Sequence, residues 1–319
     1  MARRLLLHAG VSKTGTTSLQ NWLAAQRSAL AGRGVHVQPL RNFWGVAVFG
    51  GDRDFDCQPL RARGFKTRED VAAAKAKFTA RFESWAAGIP DGATAIISTE
   101  GLSALNDREV RSLKAFLEPY FSEITPILYI RHPAAWVPSV FGQRVRGGAK
   151  AFISWTQLTR NFGDLADRFH STFGAVDLRQ YRSDVDVRED FAAAYGLPAE
   201  GFPVDRSNPS LTADCIRFAL QMNSRLGLDE PRRRKIIELL ETHGTGPRLR
   251  LSETSIKEVE ASCAQWIDHV RDTYGLRLTP PKPDPDTDDV SFSRISLSKQ
   301  EDLFRIAEMS PDEIALMRK

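Results

Sequence analysis

Two stretches of this chain carry residue types suited to gripping an anion. The first is Gly10-Val-Ser-Lys13-Thr14-Gly15-Thr16-Thr17-Ser18. Its glycines permit a tight turn with inward-pointing backbone N–H groups, and Lys13 adds a full positive charge. The hydroxyls of Thr16, Thr17 and Ser18 can donate hydrogen bonds or cap a helix. A helix beginning there adds the partial positive charge of its N-terminus. The second stretch is Arg131-His132-Pro133, with Ser139 eight residues beyond the arginine. An arginine that ends an apolar run is costly to bury unless it meets an anion, and its planar fork suits two oxygens of one phosphate. The plainer alternatives are a capped helix start with a solvated lysine, and an arginine paired with a nearby carboxylate.

These residues need elements to hold them. Residues 4–8, 35–38, 93–99, 124–130 and 176–181 read as short strands, each close to a continuous apolar run. Between them, residues 16–30, 71–87, 107–121 and 133–145 have helical spacing. Pro138 inside the last of these predicts a late start or a kink. From about residue 184 onward the pattern is mainly helical (187–195, 211–226, 231–241 and 254–273), with an amphipathic piece or two in the last thirty residues. Strands alternating with helices predict an α/β fold, a central parallel sheet flanked by helices on both faces. We expect one domain over residues 1–319, with a core to about 195 and a helical elaboration from about 196. Ligands of such sheets bind beyond the carboxyl ends of the strands, which is where both anion-suited stretches fall.

The turn after the first strand is not a Walker A loop, because Lys13 precedes Gly15 instead of following a second glycine. The third strand ends Ser98-Thr99-Glu100, with no aspartate placed to hold Mg²⁺. Composition narrows the classes further. Of 319 residues, 42% are hydrophobic and 26% charged, which is ordinary for a globular chain. Lys+Arg at 44 against Asp+Glu at 40 gives +4, suited to an anionic small ligand and too diffuse to call for nucleic acid. The basic run Arg232-Arg-Arg-Lys235 reads as a solvated helix face. No apolar run approaches the ~18 residues of a membrane span. Only three leucines follow Arg3 and Arg4 before His8, too few for a signal-peptide core. Three well-separated cysteines, Cys57, Cys215 and Cys263, in no metal-ligand spacing suit a reduced compartment, so the expected location is cytoplasmic.

Taken together, the two stretches resemble the sulfotransferase family that uses 3′-phosphoadenosine 5′-phosphosulfate (PAPS). His8-Ala-Gly-Val-Ser-Lys-Thr-Gly-Thr-Thr-Ser-Leu-Gln20 looks like the family's 5′-phosphosulfate loop, and Arg131-His-Pro-Ala-Ala-Trp-Val-Pro-Ser139 like its 3′-phosphate motif. Weaker likeness extends over Ile97-Ser-Thr-Glu-Gly-Leu102 and Asn208-Pro-Ser-Leu211. Val11-Ser12 stands where many relatives carry a proline before the lysine. The Arg-Lys-Gly clamp of many cytosolic members is absent, with Gly246-Pro-Arg248-Leu its only stand-in.

The resemblance implies sulfuryl transfer from PAPS, with adenosine 3′,5′-bisphosphate (PAP) as product, to a hydroxyl or amine of a carbohydrate or small-molecule acceptor. No metal is implied, since the leaving phosphate is already a good anion. Lys13 is the expected donor where charge grows on that phosphate. Amides of Thr14, Gly15, Thr16 and Thr17 would hold the 5′ end with Ser18, and Arg131 and Ser139 the 3′ end. Glu100 stands where the family places its base, with His8 and His132 as competitors. Burial would raise the Glu100 pKa and a nearby Lys13 would lower it. Aromatic and basic residues between Arg41 and Phe65 suit an acceptor as well as plain packing. Two other classes stay open at this point, a P-loop kinase or nucleotide-binding enzyme and a non-catalytic module that binds PAP or another anion.

Overall fold

The computed structural model describes residues 3–41, 43–198, 211–284, 288 and 290–319. All five expected strands form: β1 (Arg4–Ala9), β2 (Val35–Val37), β3 (Thr94–Thr99), β4 (Glu123–Ile130) and β5 (Asp177–Gln180). They make one sheet in the order β2-β3-β1-β4-β5, and every pairing is parallel. The protein is thus an α/β fold around an all-parallel sheet. β1, β3 and β4 are largely buried on both faces, which is why they read as apolar runs without alternation.

Among the described residues the α-helices are α1 (Thr16–Ala25), α2 (Arg27–Ala31), α3 (Gln58–Arg61), α4 (Arg68–Ala87), α5 (Asp107–Leu117), α6 (Pro133–Arg146), α7 (Phe162–Phe173), α8 (Val187–Ala194), α9 (Ala213–Arg225), α10 (Glu230–His243), α11 (Glu253–Tyr274), α12 (Leu297–Ile306) and α13 (Pro311–Met317). The single helix expected over 16–30 is two, because the chain bends at Gln26 (φ −89°, ψ 3°). The bend falls between polar Gln26 and Arg27 and leaves Leu30 fully buried beyond it. Pro138 neither delays nor ends α6, which begins at Pro133. None of the helices is long and apolar enough to cross a membrane.

The chain divides into two compact units. The first takes the described residues of 1–131, 162–205 and 269–276, and so contains the whole sheet. One sheet face is covered by α1, α2 and α8, where Leu6, Ile96, Ile127 and Tyr129 meet Leu19, Trp22, Leu23 and Phe191. Residues of the other parity, Leu5, Leu7, Ile97, Leu128 and Ile130, are equally buried on the opposite face, where α7 packs against β4 and α5. Behind the carboxyl edge, Asp190 of α8 accepts from the Tyr129 hydroxyl (2.6 Å) and takes a two-pronged grip from Arg179 (2.9 and 3.1 Å). This half-buried network fixes α8 against β4 and β5. Burial and Asp190 together push the Tyr129 hydroxyl well above the ordinary tyrosine range.

The second unit takes the described residues of 132–161, 206–268 and 277–319, and holds α6, α9, α10, α12, α13 and most of α11. Most of the helical part expected from about residue 196 lies here. The basic run on α10 is a paired surface: Arg232 donates to Glu313, Lys235 to Glu308 and Arg234 to Glu230. Of the segment Asn208-Pro-Ser-Leu211, all but Leu211 lies outside the described residues.

Candidate functional site

In an all-parallel sheet every carboxyl end points the same way, so the residues after β1, β3, β4 and β5 collect along one edge. β1 is central, with β3 on one side and β4 on the other. The connections leaving β1 and β3 run to opposite sides of it, which opens a crevice at this point of the sheet. Lys13, Glu100, Arg131 and Tyr181 all belong to this edge of the first unit.

The turn from β1 to α1 is held by its own residues. Lys13 sits in the left-handed region (φ 67°) and Gly15 repeats that conformation (φ 74°). A lysine there costs roughly 1 kcal/mol or more, the kind of strain found at functional turns. Gly15 has a second reason to be glycine: a Cβ would come within 2.8 Å of Val187 and 2.9 Å of Tyr181. A Cβ on Gly10 would strike Thr16 at 2.5 Å. The buried hydroxyls of Thr14 (2.7 Å) and Thr16 (3.2 Å) both donate to the Val11 carbonyl. They brace the turn, so the hydroxyl of Thr16 is directed inward and does not cap α1. The N-cap is Gly15, without a side-chain cap, and no acidic residue occupies the first turn. The amides at the start of α1 and the side chain of Lys13 therefore give this end of the helix its positive character. Thr17 and Ser18 are half-buried on that first turn.

Glu100 opens a 3-10 turn (Glu100–Ala104) directly after β3. It is exposed as a residue, while protein around its carboxyl end raises its pKa above the usual glutamate value. The positive charges of Lys13 and Arg41 oppose that rise. The coupling identifies both cations as electrostatic neighbours of the carboxylate, and of the two only Lys13 is among the site residues expected from the sequence. The end of β3 is clamped by two glutamines. Gln20 of α1 donates to the Ser98 carbonyl (3.1 Å), and Gln38 donates to the same carbonyl (3.0 Å) while accepting from the Ser98 amide (2.8 Å). Gln20 thus couples the helix that follows the lysine turn to the strand that presents Glu100. Its signal was the glutamine closing the Lys-Thr-Gly-Thr-Thr-Ser-Leu-Gln run.

Arg131 reaches the same crevice. Its guanidinium donates to the Lys13 carbonyl at 3.5 Å, the outer limit of a hydrogen bond, and lies 5.5 Å from the centre of the Tyr181 ring. The Tyr181 amide donates to the Ile130 carbonyl (2.7 Å), so β5 carries the aromatic ring to the arginine. Tyr181 is a further residue of the site that the sequence alone does not single out, since β5 is short and half-buried. Ser139 is half-buried on α6 and belongs to the second unit.

The two histidines have structural partners. His8 is fully buried, its Nδ1 is 2.7 Å from the Ser98 Oγ, and burial holds its pKa down to about 3. It stays neutral and ties β1 to β3 at the paired positions His8 and Ser98. His132, within the second unit, is 3% exposed and caps α6 by accepting from the Ala134 amide at Nδ1 (3.3 Å). Its Nε2 faces Glu260 at 3.1 Å, and burial lowers its pKa to about 4. Neither has the pKa of a base working near neutrality.

The stretch from Arg41 to Phe65 is more ordered than its sequence implies, with a π-helical turn (Val46–Gly50) and α3 inside it. Phe43 and Phe49 are core residues that pack on Phe78. Trp44 and Phe55 remain half-buried, each beneath a guanidinium, Arg63 at 4.2 Å and Arg68 at 5.1 Å.

No protein-family model matches the chain. No curated protein matches it either. Among solved structures, a sulfotransferase from Alicyclobacillus acidocaldarius is similar over 87% of this chain and 97% of that one, at 11% identity and a TM-score of 0.43. At that level the neighbour's activity does not transfer to this chain.

Proposed function

We propose that the protein is a sulfotransferase that moves a sulfuryl group from PAPS to a hydroxyl or amine of a carbohydrate or small-molecule acceptor. The observation that carries this reading is the meeting of Arg131 with the backbone of Lys13. Two cationic ends, spaced in the sequence like the two phosphate motifs of that family, share one crevice at the carboxyl edge of the sheet. The strained lysine, the uncapped helix start and the close approach enforced by Gly10 and Gly15 fit a phosphate on the turn.

The donor supplies an activated sulfuryl group on a leaving phosphate that is a stable anion without metal help. The amides of Thr14 to Thr17, with Ser18, would hold the 5′ phosphate. Lys13 would donate to the oxygen on which negative charge grows, an interaction strongest in the transition state. Arg131 would hold the 3′ phosphate, and Tyr181 keeps the guanidinium in place. Glu100 would take the proton from the acceptor. Its burial raises its basicity, and the positive charges of Lys13 and Arg41 oppose that rise.

Thermal unfolding with PAP, 5′-AMP and ATP tests the donor half directly. A ligand that binds only the native state stabilises it by RT ln(1 + [L]/Kd), and the midpoint rises accordingly. PAP is expected to stabilise far more than 5′-AMP or ATP, and Arg131→Ala to erase the advantage over 5′-AMP. Equal shifts from PAP and 5′-AMP in the unaltered protein remove the 3′-phosphate assignment. A Mg²⁺-dependent shift with ATP favours the kinase class.

A further inference from the structure

A cavity of about 240 Å³ in the first unit is lined by Phe49, Asp52, Arg53, Phe55, Arg68 and Lys75, together with Val48, Val71 and Ala72. The carbonyl of Ala86 accepts from Arg3 (2.8 Å) just before β1, so the last turn of α4 lies at the amino edge of the sheet and its Arg68 end runs toward the carboxyl edge. α5 follows β3, which puts Arg108 in its first turn at the same edge. The π-helical turn Val46–Gly50 bridges the cavity and Glu100. Its Val48 and Phe49 line the cavity, while its Ala47 packs so close to Gly101 that a Cβ there would come within 2.8 Å.

Most of the cations around the cavity have carboxylate partners. Asp52 is bound by Lys75 (3.0 Å) and faces Arg108 (3.9 Å), Arg108 also faces Asp54 (3.7 Å), and Arg53 faces Glu109 (3.4 Å). Those three cations meet three carboxylates, and Arg68 is the fourth cation. Among the described residues its guanidinium meets the Phe55 ring and no carboxylate. Glu69 and Asp70 follow it on α4, but neighbours one and two positions apart point to different faces. Arg68 is also misplaced for the helix itself. It is the first residue of α4, after the Thr67 cap, where a cation opposes the macrodipole. Arg68 is exposed, so its charge is open both to solvent and to an external anion beside the half-apolar hollow.

We propose that this cavity is the acceptor-holding subsite and that it takes a single ring bearing one anionic group, the anion on Arg68 and the ring against Val48, Phe55 and Val71. Sites for drug-sized ligands run to ~300–1,000 Å³, so this smaller hollow has room for one ring and not for an extended chain. That its occupant is the acceptor rests on the transferase reading above; its affinity for a ring-bearing acid does not.

Amide NMR spectra of the full chain, titrated without nucleotide, test the assignment. The acidic probes are D-glucuronate and para-hydroxybenzoate, and the neutral counterparts are methyl β-D-glucopyranoside and para-hydroxybenzamide. At least one acid is expected to shift the amides of Asp52–Phe55 and Arg68–Lys75. It should bind about tenfold more tightly than its neutral counterpart, the lower end of what a charged hydrogen bond contributes. Arg68→Gln should bring the acid down to the level of the neutral ring, while Lys77→Gln, on the same helix and outside the cavity, should leave it unchanged. The acid with the stronger response distinguishes a uronate sugar from an aromatic acid. Acids that bind no better than the neutral rings, or an Arg68→Gln protein that binds them normally, overturn the proposal. Failure of PAP to stabilise the protein would instead sink the transferase reading and leave the cavity's anion preference standing.

Discussion

The β1–α1 turn and the stretch from Arg41 to Phe65 border the same crevice and are built on opposite principles. In the turn the backbone is the working part. Gly10 and Gly15 are required by space and dihedral angle, Lys13 shares the left-handed conformation, and two threonine hydroxyls are directed inward to hold the Val11 carbonyl. In the second stretch the side chains do the work, and two of its five aromatic residues go to the core. Phe43 and Phe49 pack on α4, leaving Phe55, Arg68 and the paired charges around Asp52 at the surface. A surface made of backbone demands particular residues at particular spacings. One made of side chains depends on which of several interchangeable residues the packing leaves over.

The most damaging way to break the turn is to remove the side chain of its lysine. Lys13→Ala should lower the transfer rate by about 10²–10³ with any accepted acceptor while the unfolding midpoint stays unchanged. Loss of activity accompanied by a lower midpoint would make Lys13 a structural residue of the turn. Gly15→Ala tests the backbone itself. A Cβ meets Val187 and Tyr181, and alanine disfavours the left-handed region, so urea unfolding should show a loss of about 2–4 kcal/mol. An unchanged midpoint would mean that the turn relaxes freely and does not present a fixed set of amides. The mildest test reaches the crevice from the second stretch. Arg41→Gln removes one of the two charges that lower the Glu100 pKa, so that pKa should rise further above the ordinary value. A base works as the carboxylate, so the acid limb of kcat/KM should move to higher pH and nucleotide affinity should hold. An acid limb that stays in place would assign the base to another group.

The centre of the sheet was legible because β1, β3 and β4 are apolar runs bounded by turn residues, and burial on both faces leaves no other environment for such a run. The sequence reading places no element over residues 146–175, where α7 lies. Phe162, Leu165, Ala166 and Phe169 carry the helical spacing that marks it, but Gly163 in its first turn and the polar stretch before it blur the start. The π-helical turn has no sequence signature, since its Val46 to Gly50 backbone is set by packing against the 3-10 turn after β3 and against α5. Within the site, the turn and Arg131 stood out by residue type. Gln38, Arg41 and Tyr181 did not, because a glutamine, an exposed arginine and a tyrosine after a short strand are unremarkable until their neighbours are known.

By itself the sequence determined the strand count, the glycine-bearing turn and the cationic residues that end up along one sheet edge. These depend on local dihedral preference and on runs of apolar residues, both of which are written in short segments. Only the tertiary structure decided that the Arg131 guanidinium meets the carbonyl of Lys13, 118 positions away, that Arg41 is an electrostatic neighbour of Glu100, and that the Arg68 guanidinium lies over the Phe55 ring. Those relations depend on strand order, and the chain places β4 beside β1 only after β2 and β3 have been laid on the other side.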